Sequence, residues 1–561
     1  MIDTEETITP DSKEGTILIP IGGCGEFGRN MTALVTQGRL YLIDAGIMFA
    51  DNRKLGVASL FNDISPLVEE YGEPVAYIIT HGHEDHIGSL PYMLERWPAP
   101  VYIPRWAKAL VELRLERLGK TSLSGYLRKV NSGDVVGLGD ESFEYVRVNH
   151  SIPDANALYI KTKTHKILHS GDFKVDLGST EQLPVDIDRL KQISKDGVDV
   201  FICDSTNAGR PGIGNGERTT LEPLKRAFNS CNGRIFVTTF ASNLWRIINI
   251  IEAAKSLGKT VCIVGAGMIN CLAIAAKEGI YAPEKGDIIE LKHIKKYKEK
   301  ELVFLVSGSQ AEFRSGLQRI TANEHRVLKI KEGDTVVFSS RIIPGNEKDL
   351  AFLTSKIRYQ GAHIITPSTE PGIHVSGHAH GGEIEIMLDA LKPKYFMPVH
   401  GTFNQIMDNA ENQGIGFETI ICENSTGVFL KGKNAYQFET TGLDNLYIDD
   451  VGKLLYHETM RERLRIGENG FVLVSGVFDK SKSEFVQGPI LKTFGLINDK
   501  PGEDEMRMSK QIQKKLGAVL KDKASKTDDT SLNEHVRVLV RRQAVLDFNK
   551  KPTVVSQVWF T

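Results

Sequence analysis

The sequence His81-Gly82-His83-Glu84-Asp85-His86 places three histidines and two carboxylates within six residues. It directly follows residues 76–80, an apolar run that predicts a short β-strand. Neutral imidazoles and carboxylates are the ligands that suit Zn²⁺ or Mn²⁺. Along an extended turn, alternating histidines can face one cation while Asp85 and His86 face a second. The motif therefore predicts a metal centre, because the alternative, a solvated histidine-rich loop, does not explain its position after a strand.

This motif resembles the HxHxDH signature of the metallo-β-lactamase superfamily. Candidates for the remaining superfamily positions occur in the expected order, at Asp44, His150, Asp172 and His400. The resemblance implies that one metal ion is held by His81, His83 and His150. It implies that a second ion is held by Asp85, His86 and His400, that Asp172 bridges the two ions, and that Asp44 orients a ligand histidine. We therefore expect two divalent cations, with Zn²⁺ favoured and Mn²⁺ or Mg²⁺ as alternatives.

From about residue 218 the sequence alternates between helical and strand-like segments, which is typical of a parallel α/β unit. This unit lies between two of the candidate ligands and resembles the β-CASP insertion of nucleic-acid-cleaving members of the superfamily. The resemblance implies that Asp204 and His378 manage proton transfer as a coupled pair. Two alternatives remain open. Asp204 could form an Asx turn with the two residues that follow it, and 374–378 could be a turn of small residues packed under the site.

Within this branch the sequence resembles the bacterial ribonuclease J family over nearly the whole chain. The segments that carry the likeness lie at 22–28, 240–243, 308–310, 344–347 and 374–378. Histidine at position 400 favours RNA, since DNA-cleaving members of the group tend to carry valine there. The resemblance implies a ribonuclease of RNA decay and maturation. It would hydrolyse single-stranded RNA 5′→3′ from 5′-monophosphate ends and would also cleave internally.

The resemblance also implies two segments that contact RNA through backbone phosphates and stacked bases rather than base edges. They consist of Ser242, Asn243 and Leu244, and of His374, Val375, Ser376, Gly377 and His378. Hydroxyls, an amide and backbone N–H groups suit phosphate oxygens. Ser242 and Asn243 could instead cap a helix that begins at Leu244, and the two roles are compatible.

The predicted fold class is α/β, a metallo-β-lactamase αββα sandwich split by the β-CASP insertion and followed by a small C-terminal α+β domain. The predicted boundaries are 1–217 and 382–454 for the sandwich, 218–381 for the insertion, 455–468 for a linker and 469–561 for the C-terminal domain. In that last domain the pattern predicts strands and helices. The strands are at 471–477, 485–492 and 553–560, and the helices are at 504–520 and 532–548.

The segment Gly23-Cys24-Gly25-Glu26-Phe27-Gly28 satisfies the GxGxxG pattern of dinucleotide-binding folds. That function requires a helix whose N-terminus opens at the glycines and receives the pyrophosphate. Residues 29–36 are too few and too β-prone to form such a helix. We therefore predict a tight glycine turn between two antiparallel strands.

Composition limits the remaining function classes. Lys and Arg total 69 against 71 for Asp and Glu, and the formal net charge of −2 excludes a generally basic nucleic-acid coat but allows a local basic groove. The six cysteines include no CxxC pair, so we expect neither a disulfide framework nor a structural zinc site. Residues 1–15 lack signal-peptide features, and the apolar run 261–276 is too short and interrupted to span a bilayer. We expect a soluble cytoplasmic protein without membrane contact.

Three other functions compete with the ribonuclease hypothesis. A β-CASP DNA nuclease is disfavoured by His400 and by the C-terminal domain. A catalytically silent scaffold that binds RNA or a decay partner would lack a ligand, whereas every expected ligand is present. A small-molecule lactonase or thioesterase would not need the insertion. The expected partners are single-stranded RNA and, by resemblance, further copies of the chain in a homodimer or homotetramer formed through the C-terminal domain. RNA-decay proteins are further candidate partners.

Overall fold

The structure is a computed structural model that describes residues 10–50, 55–179, 182–412, 414, 416–482, 484–496, 506–508, 510–515 and 528–561. The chain forms two compact units. The first comprises Met1–Asp51 and Leu60–Asp444, and the second comprises Asn52–Ser59 and Asn445–Thr561. All six cysteines are buried and free. None of the helices in the described part of the chain combines the length and the apolar character that a membrane span needs.

Two sheets pack face to face in the first unit. The first sheet has eight strands, in the order Asn434–Glu439, Thr426–Lys431, Thr16–Gly22, Met31–Thr36, Arg39–Ile43, Ala76–Ile78, Val101–Pro104 and Leu127–Val130. The second has seven, in the order Val135–Leu138, Glu141–Arg147, Asn156–Lys161, Lys166–His169, Val200–Asp204, Tyr395–Val399 and Glu418–Thr419. Apolar side chains from both sheets form one core, and in it the rings of Tyr41 and Phe143 lie 5.3 Å apart.

Helices cover the outer faces of the two sheets. Ser65–Tyr71 and Arg105–Arg117 contact the first sheet. Leu190 of helix Ile187–Asp196 and Ile384 of helix Gly381–Leu391 pack with Phe201 of the second sheet. The predicted αββα sandwich is therefore confirmed. The remaining helices of the sandwich are Glu84–Ile87, Leu90–Arg96, Phe403–Asn412 and the 3₁₀ helix Thr121–Tyr126, and its short strands are Cys24–Gly25, Met48–Phe49 and Gly401–Thr402. Strand Val57–Asn62 lies in sequence across the boundary of the two units.

The glycine-rich segment after the first strand connects two antiparallel strands, as predicted, but it is not a tight turn, because it contains the short strand Cys24–Gly25, which pairs in parallel with Gly401–Thr402. Strands Thr16–Gly22 and Met31–Thr36 pair antiparallel, with Ile17 opposite Val35. Gly23, at a φ of 90°, adopts the left-handed conformation that glycine tolerates best. A helix for binding pyrophosphate does not form between these strands.

The insertion is a parallel sheet with helices on both faces. Its strands follow the order Ile288–Ile289, Thr260–Val264, Leu302–Val306, Ile235–Thr238, Thr335–Phe338 and His363–Ile365, and all pairs are parallel. Its helices are Leu221–Asn229, Leu244–Ser256, Ala266–Lys277, Gly316–Thr321 and Glu347–Tyr359. Val237 and Phe236, neighbours in one strand, belong to the cores on opposite faces. Burial on both faces explains the nearly continuous apolar strands and confirms the predicted α/β unit.

The second unit contains a three-stranded sheet in the order Glu484–Phe494, Phe471–Asp479 and Thr553–Phe560, with helix Asp529–Phe548 packed on it. The three predicted strands are confirmed, and so is the predicted helix at 532–548. The predicted helix at 504–520 is helical at 506–508 and 510–515, and its other residues lie outside the described ones, as do residues 1–9. Strands Asn445–Asp449 and Leu454–Leu455 precede helix His457–Asn469, which occupies the stretch predicted as a linker. The domain boundaries stay predictions.

Candidate metal centre

The motif at 81–86 follows a strand of the first sheet. Strand Ala76–Ile78 leads into it and pairs in parallel with Arg39–Ile43, after which Asp44 follows. Helix Glu84–Ile87 begins directly after His83, so the motif changes from extended to helical between its second and third histidines. The backbone therefore presents the histidines on two sides of one turn.

The second sheet supplies the other predicted site residues. Strands Lys166–His169, Val200–Asp204 and Tyr395–Val399 are parallel neighbours, so their carboxyl ends lie at one edge of the sheet. Asp172, Asp204 and His400 stand at these ends. His150 follows the antiparallel strand Glu141–Arg147.

Four of the predicted ligands form a first cluster, which consists of His81, His83, His150 and Asp172. His83 Nδ1 lies 3.2 Å from His81 Nε2 and 3.0 Å from His150 Nε2. Asp172 Oδ2 lies 3.6 Å from His81 Nε2 and 3.7 Å from His150 Nε2. Three ring nitrogens and one carboxylate oxygen thus converge on one point.

The other predicted ligands form a second cluster with the same aspartate, and it consists of Asp85, His86, His400 and Asp172. Asp172 Oδ1 lies 3.2 Å from His86 Nε2 and 3.4 Å from His400 Nε2. Asp85 Oδ2 lies 3.6 Å and 3.5 Å from the same two nitrogens. One Asp172 oxygen therefore faces each cluster, which is the geometry of a bridging ligand.

The spacing of these atoms fits bound cations. In a tetrahedral site, ligand atoms about 2.0–2.2 Å from Zn²⁺ lie roughly 3.3–3.6 Å from one another. The distances in both clusters fall close to this range. Asp172 Oδ1 and His400 Nε2 are also buried without a hydrogen-bond partner, which is costly unless another group satisfies them. A cation in the second cluster would satisfy both atoms.

The electrostatics differ between the two clusters. Burial is the largest influence in the first cluster, where it holds the pKa values of His81 and His150 well below their ordinary range and lowers the pKa of His83 to about 4. These rings are neutral, so each offers a lone pair. In the second cluster burial acts in the same direction, but the charge of Asp172 and nearby carboxylates outweighs it and raises the pKa values of His86 and His400.

Asp44 lies behind the second cluster and fixes one of its rings. Its Oδ2 atom is 2.7 Å from His86 Nδ1, an arrangement that leaves His86 Nε2 directed at the cluster. Its two oxygens also accept hydrogen bonds from the backbone N–H and the hydroxyl of Thr80, each at 2.8 Å. Sequence reasoning missed Thr80, although its position directly before His81 is a local signal.

Asn30 is a second residue that sequence reasoning missed. Its Nδ2 atom donates to Asp85 Oδ2 at 3.1 Å and lies 3.0 Å from His86 Nε2. Asn30 belongs to the glycine-rich turn region, far from the motif in sequence, so no spacing rule points to it.

The two predicted proton-transfer residues are in contact. His378 Nδ1 lies 2.8 Å from Asp204 Oδ2 and 4.0 Å from Asp172 Oδ2. Burial opposes charging of the His378 ring, but the charge of Asp204 outweighs it and raises the pKa of His378. Asp204 Oδ1 accepts hydrogen bonds from the backbone and hydroxyl of Thr206. The alternative Asx turn is therefore present together with the contact to His378.

The first predicted RNA-contacting segment caps a helix. Asn243 Oδ1 accepts a hydrogen bond from the backbone N–H of Arg246 at 2.9 Å, so Asn243 is the N-cap of helix Leu244–Ser256. Ser242 is half-buried, whereas the side chain of Leu244 is buried in the core of the insertion. The capping alternative is thus confirmed for Asn243, and the RNA contacts of the segment stay predictions.

The second predicted RNA-contacting segment borders the first metal cluster. The Gly377 carbonyl accepts a hydrogen bond from His150 Nδ1–H at 2.7 Å, so this segment orients a predicted ligand. Ser376 Oγ accepts a hydrogen bond from Asn207 Nδ2 at 2.7 Å, and the buried Lys174 donates to the Ser376 carbonyl. Val375 is buried and His374 half-buried. Sequence reasoning missed Asn207 and Lys174, which act through this loop.

Four family models match the chain. The metallo-β-lactamase superfamily matches residues 24–188, and the β-CASP domain of ribonuclease J matches 232–357. The Zn-dependent metallo-hydrolase RNA specificity domain matches 369–414, and the ribonuclease J C-terminal domain matches 458–559. These matches confirm the predicted superfamily, the insertion and the C-terminal domain.

Known proteins are similar over almost the entire chain. Ribonuclease J of Mycobacterium tuberculosis is 32% identical over 98% of each chain, and Ribonuclease J of Mycolicibacterium smegmatis is 31% identical over 98% of each chain. A crystal structure of a protein of unknown function from Enterococcus faecalis V583 shares the fold with a TM-score of 0.51 at 17% identity, over 74% of this chain and all of that one. The chain therefore belongs to the ribonuclease J family of metal-dependent ribonucleases.

Proposed function

We propose that the protein hydrolyses single-stranded RNA as a 5′→3′ exonuclease that prefers 5′-monophosphate ends and also cleaves internally, in RNA decay and maturation. The observation that carries this proposal is the sharing of Asp172 between two ligand clusters, with His378 beside the same carboxylate. Hydrolysis of a phosphodiester needs charge neutralisation at the phosphate and a proton for the departing 3′-oxygen. The match of 369–414 to an RNA specificity domain supports RNA over DNA.

Two divalent cations, with Zn²⁺ favoured, would occupy the two clusters. One cation would be held by His81, His83 and His150. The other would be held by Asp85, His86 and His400, and Asp172 would be a ligand of both cations. Neutral imidazoles with a carboxylate suit Zn²⁺, and the orphaned Asp172 and His400 atoms support occupation of the second cluster. When bound, the cations supply Lewis-acid activation of water and neutralise charge on the phosphate.

His378 would supply the proton for the leaving oxygen. Its Nδ1–H donates to Asp204, so the proton that can be transferred is on Nε2. Asp204 keeps the ring oriented and favours its protonated form, and Thr206 holds Asp204 in turn. This arrangement supports a coupled pair in which His378 is the acid and Asp204 the group that tunes it.

The RNA backbone would contact the two segments that border this pair. The hydroxyl of Ser242 and the backbone of 374–378 are the groups that suit phosphate oxygens. Gly377 supports this assignment, because its carbonyl holds His150 and its lack of a side chain lets the loop approach His150 closely. Leu244 would serve by anchoring the capped helix, since its side chain is buried.

Matched RNA substrates test the proposal. Purified protein is incubated with Mn²⁺ or Mg²⁺ and with one single-stranded RNA that carries a 5′-monophosphate, a 5′-triphosphate or a 5′-hydroxyl. We expect stepwise mononucleotide release, fastest from the monophosphate, and no release by the His83→Ala variant. A wild-type protein that behaves like His83→Ala would overturn the ribonuclease proposal.

Two further substrates separate the modes of cleavage. A circular RNA of the same sequence has no 5′ end, so its linearisation reports internal cleavage alone. A DNA strand of the same sequence tests the choice of nucleic acid, and comparable hydrolysis of DNA would contradict the preference for RNA. We expect linearisation of the circle at a lower rate than release from the monophosphorylated strand.

We also propose that the protein forms a homodimer or homotetramer through the C-terminal sheet. One face of this sheet packs on helix Asp529–Phe548. Large apolar side chains on the other face remain exposed, with exposed fractions of 52% for Ile490, 58% for Phe494, 44% for Val555 and 56% for Trp559. Clustered exposed apolar side chains are typical of protein interfaces.

A further inference from the structure

Helix Leu244–Ser256 contains a charged residue in its most apolar part. Arg246 stands between Trp245 and Ile247, and its side chain is fully buried, with an exposed fraction of 0%. Burial of a guanidinium is costly unless every donor finds an acceptor. The position of these acceptors therefore indicates what the residue is for.

One side of the guanidinium forms a buried ion pair. Arg246 Nε and Nη2 both donate to the carboxylate of Glu217, in a bidentate arrangement. Glu217 begins the short 3₁₀ helix Glu217–Thr220 at the start of the insertion, and its backbone carbonyl accepts a hydrogen bond from Asn249 of the same helix as Arg246. The ion pair neutralises the buried charge and fixes the plane of the guanidinium.

The other side of the guanidinium holds the loop that contains the second RNA-contacting segment. Arg246 Nη1 donates to the carbonyl and the hydroxyl oxygen of Ser339, each at 2.9 Å, and lies 3.3 Å from the Ile373 carbonyl. Arg246 Nη2 donates to the Val375 carbonyl at 3.1 Å. Because the backbone N–H of Arg246 also donates to Asn243, one residue joins the capped start of the helix to the loop at 373–375.

Arg246 also contacts the ring of His374. Arg246 Nη1 lies 3.2 Å from His374 Nδ1. A guanidinium has only donors, so this contact is favourable when Nδ1 carries a lone pair and unfavourable when it carries a proton. The ring then carries its proton on Nε2, and the half-buried His374 has a donor for an acceptor outside the protein.

Burial and three nearby cations act against protonation of this ring. Burial is the largest influence on the pKa of His374, and the cations Arg246, Arg210 and Lys174 add to it, while the Ser339 carbonyl acts in the opposite direction. The pKa lies well below its ordinary range as a result. The ring is therefore neutral at the pH at which the enzyme would work.

We propose that Arg246 is a positioning residue that makes His374 a fixed neutral donor, with its proton on Nε2, for a phosphate oxygen of the RNA. This rests on the proposed function, because it assigns a role to a loop taken to bind RNA. It also gives the two histidines of the loop different roles, since His378 would transfer a proton whereas His374 would only bind the substrate.

The ring itself is tested first, in the metal-loaded protein without RNA. The ¹⁵N shifts of histidine-labelled protein are recorded between pH 5.5 and 8, and the His374 signals are identified by their loss in His374→Gln. We expect the pattern of a neutral ring protonated on Nε2 throughout. A proton on Nδ1, or titration of the ring in this range, would overturn the proposal whether or not the protein cleaves RNA.

Binding is tested second, by fluorescence anisotropy with a short 5′-monophosphorylated RNA on Asp204→Asn protein, whose cleavage of RNA should be slow. His374→Gln should weaken binding about tenfold, the value of one hydrogen bond to a charged group. The ratio of the two dissociation constants should not vary with pH. Equal binding with and without His374 would count against a phosphate contact even if the wild-type protein is an active ribonuclease.

The role of Arg246 is tested third, by removing both buried charges in the pair Glu217→Gln with Arg246→Met. This avoids leaving Glu217 unpaired in the interior. Burial remains in this variant, so the ring should stay neutral, but without the guanidinium its proton is no longer held on Nε2 and RNA binding should weaken. Addition of His374→Gln should then cost less than the tenfold loss it causes when Arg246 is present, and a full tenfold loss would contradict the proposal. If the double variant does not fold, Arg246→Lys is used instead. This variant retains the positive charge, so the ring should stay neutral. It loses hydrogen bonds to the loop at 373–375, so RNA binding should weaken.

Discussion

The Nδ1 atom of His378 lies 2.8 Å from the Oδ2 atom of Asp204, although 174 residues separate them in the sequence. The first residue lies in the loop before helix Gly381–Leu391, and the second ends a strand of the sandwich. Their contact couples the titration of an imidazole to that of a carboxylate at the edge of the ligand clusters.

Substitution of Asp204 by asparagine should lower the rate and change its pH dependence. Asp204 raises the pKa of His378, so His378 stays protonated to a higher pH than an isolated histidine. Activity that needs the protonated ring is present below this raised pKa and is lost as the pH rises through it. In Asp204→Asn the alkaline decline in kcat should therefore begin at a lower pH, with kcat reduced by about 10²–10⁴-fold. His378→Ala combined with Asp204→Asn should lose little more than His378→Ala alone, and additive losses would argue against a coupled pair.

Metal content should follow the division into two clusters. His150→Ala removes a ligand of the first cluster only, so we expect the protein to retain about one ion per chain, whereas Asp172→Asn should retain almost none. Elemental analysis after gel filtration measures this directly. His380→Ala is the matched control, since His380 belongs to neither cluster, and it should retain the wild-type content. Equal loss in His150→Ala and Asp172→Asn would contradict a bridging role for Asp172.

Acidification should empty the second cluster before the first. His86 and His400 have pKa values raised well above the ordinary value, so protons compete for their ring nitrogens before the pH becomes acidic. The pKa values of His81, His83 and His150 are lowered. A cation that binds the second cluster must displace those protons, and its affinity falls as the pH falls through the raised values. Titration calorimetry in two buffers of different ionisation enthalpy measures the released protons. Asp172→Asn and His400→Ala should each release fewer protons than the wild type when metal binds. Proton release that comes from the first cluster alone, and is therefore unchanged in His400→Ala, would contradict this order.

Alanine at position 377 should disturb the first cluster without unfolding the protein. A Cβ atom there would lie 2.9 Å from Ser151 Cβ and 3.0 Å from His150 Nδ1, which is closer than side chains tolerate. We expect displacement of His150, loss of metal from the first cluster and at least about a tenfold fall in kcat, with a stability cost of roughly 1–3 kcal/mol. Gly442→Ala is the control, because no atom lies within 4 Å of the corresponding Cβ position. Normal metal content in Gly377→Ala would show that the loop can shift to accept the side chain without displacing His150.

Charge on the exposed face of the C-terminal sheet should reduce the size of the assembly. Ile490 and Trp559 are exposed apolar residues of its outer strands, and lysine at both positions would place two charges in the proposed interface. Light scattering coupled to gel filtration should report a smaller particle than for the wild type. Leu546→Lys, at an exposed apolar position of the helix, should leave the assembly unchanged. An unchanged particle in the double lysine variant would locate self-association elsewhere.

Local chemistry predicted a metal centre at the 81–86 motif, and the family resemblance supplied the remaining predicted ligands. His81, His83, Asp85 and His86 lie in one turn, so their residue types and spacing already indicate a metal centre. Asp172 and His400 follow apolar strands, and parallel strands end at a common edge, which brings them together. The two-sided burial of the inserted sheet was similarly readable from its apolar strands.

The supporting residues were not predictable because strand register and loop packing place them. Thr80 reaches Asp44 because Ile43 pairs opposite Ile78, and Asn30 reaches Asp85 through the fold of a distant turn. Arg246 has a local signal, an arginine in an apolar helix, but its partners at Glu217 and 373–375 depend on the packing of the insertion. Helix His457–Asn469 was predicted as a linker because its charged residues obscure the few apolar ones, of which Met460 is buried.

The pairing of Val200–Asp204 with Tyr395–Val399 has a consequence for synthesis of the protein. The second of these strands delivers His400, and the loop before helix Gly381–Leu391 delivers His378. The set of predicted ligands and proton-transfer groups is therefore incomplete until about residue 400 has left the ribosome. A nascent chain would thus carry most of its own fold before it could hydrolyse RNA. The order of the segments along the chain delays the enzyme's activity toward the message from which it is being translated.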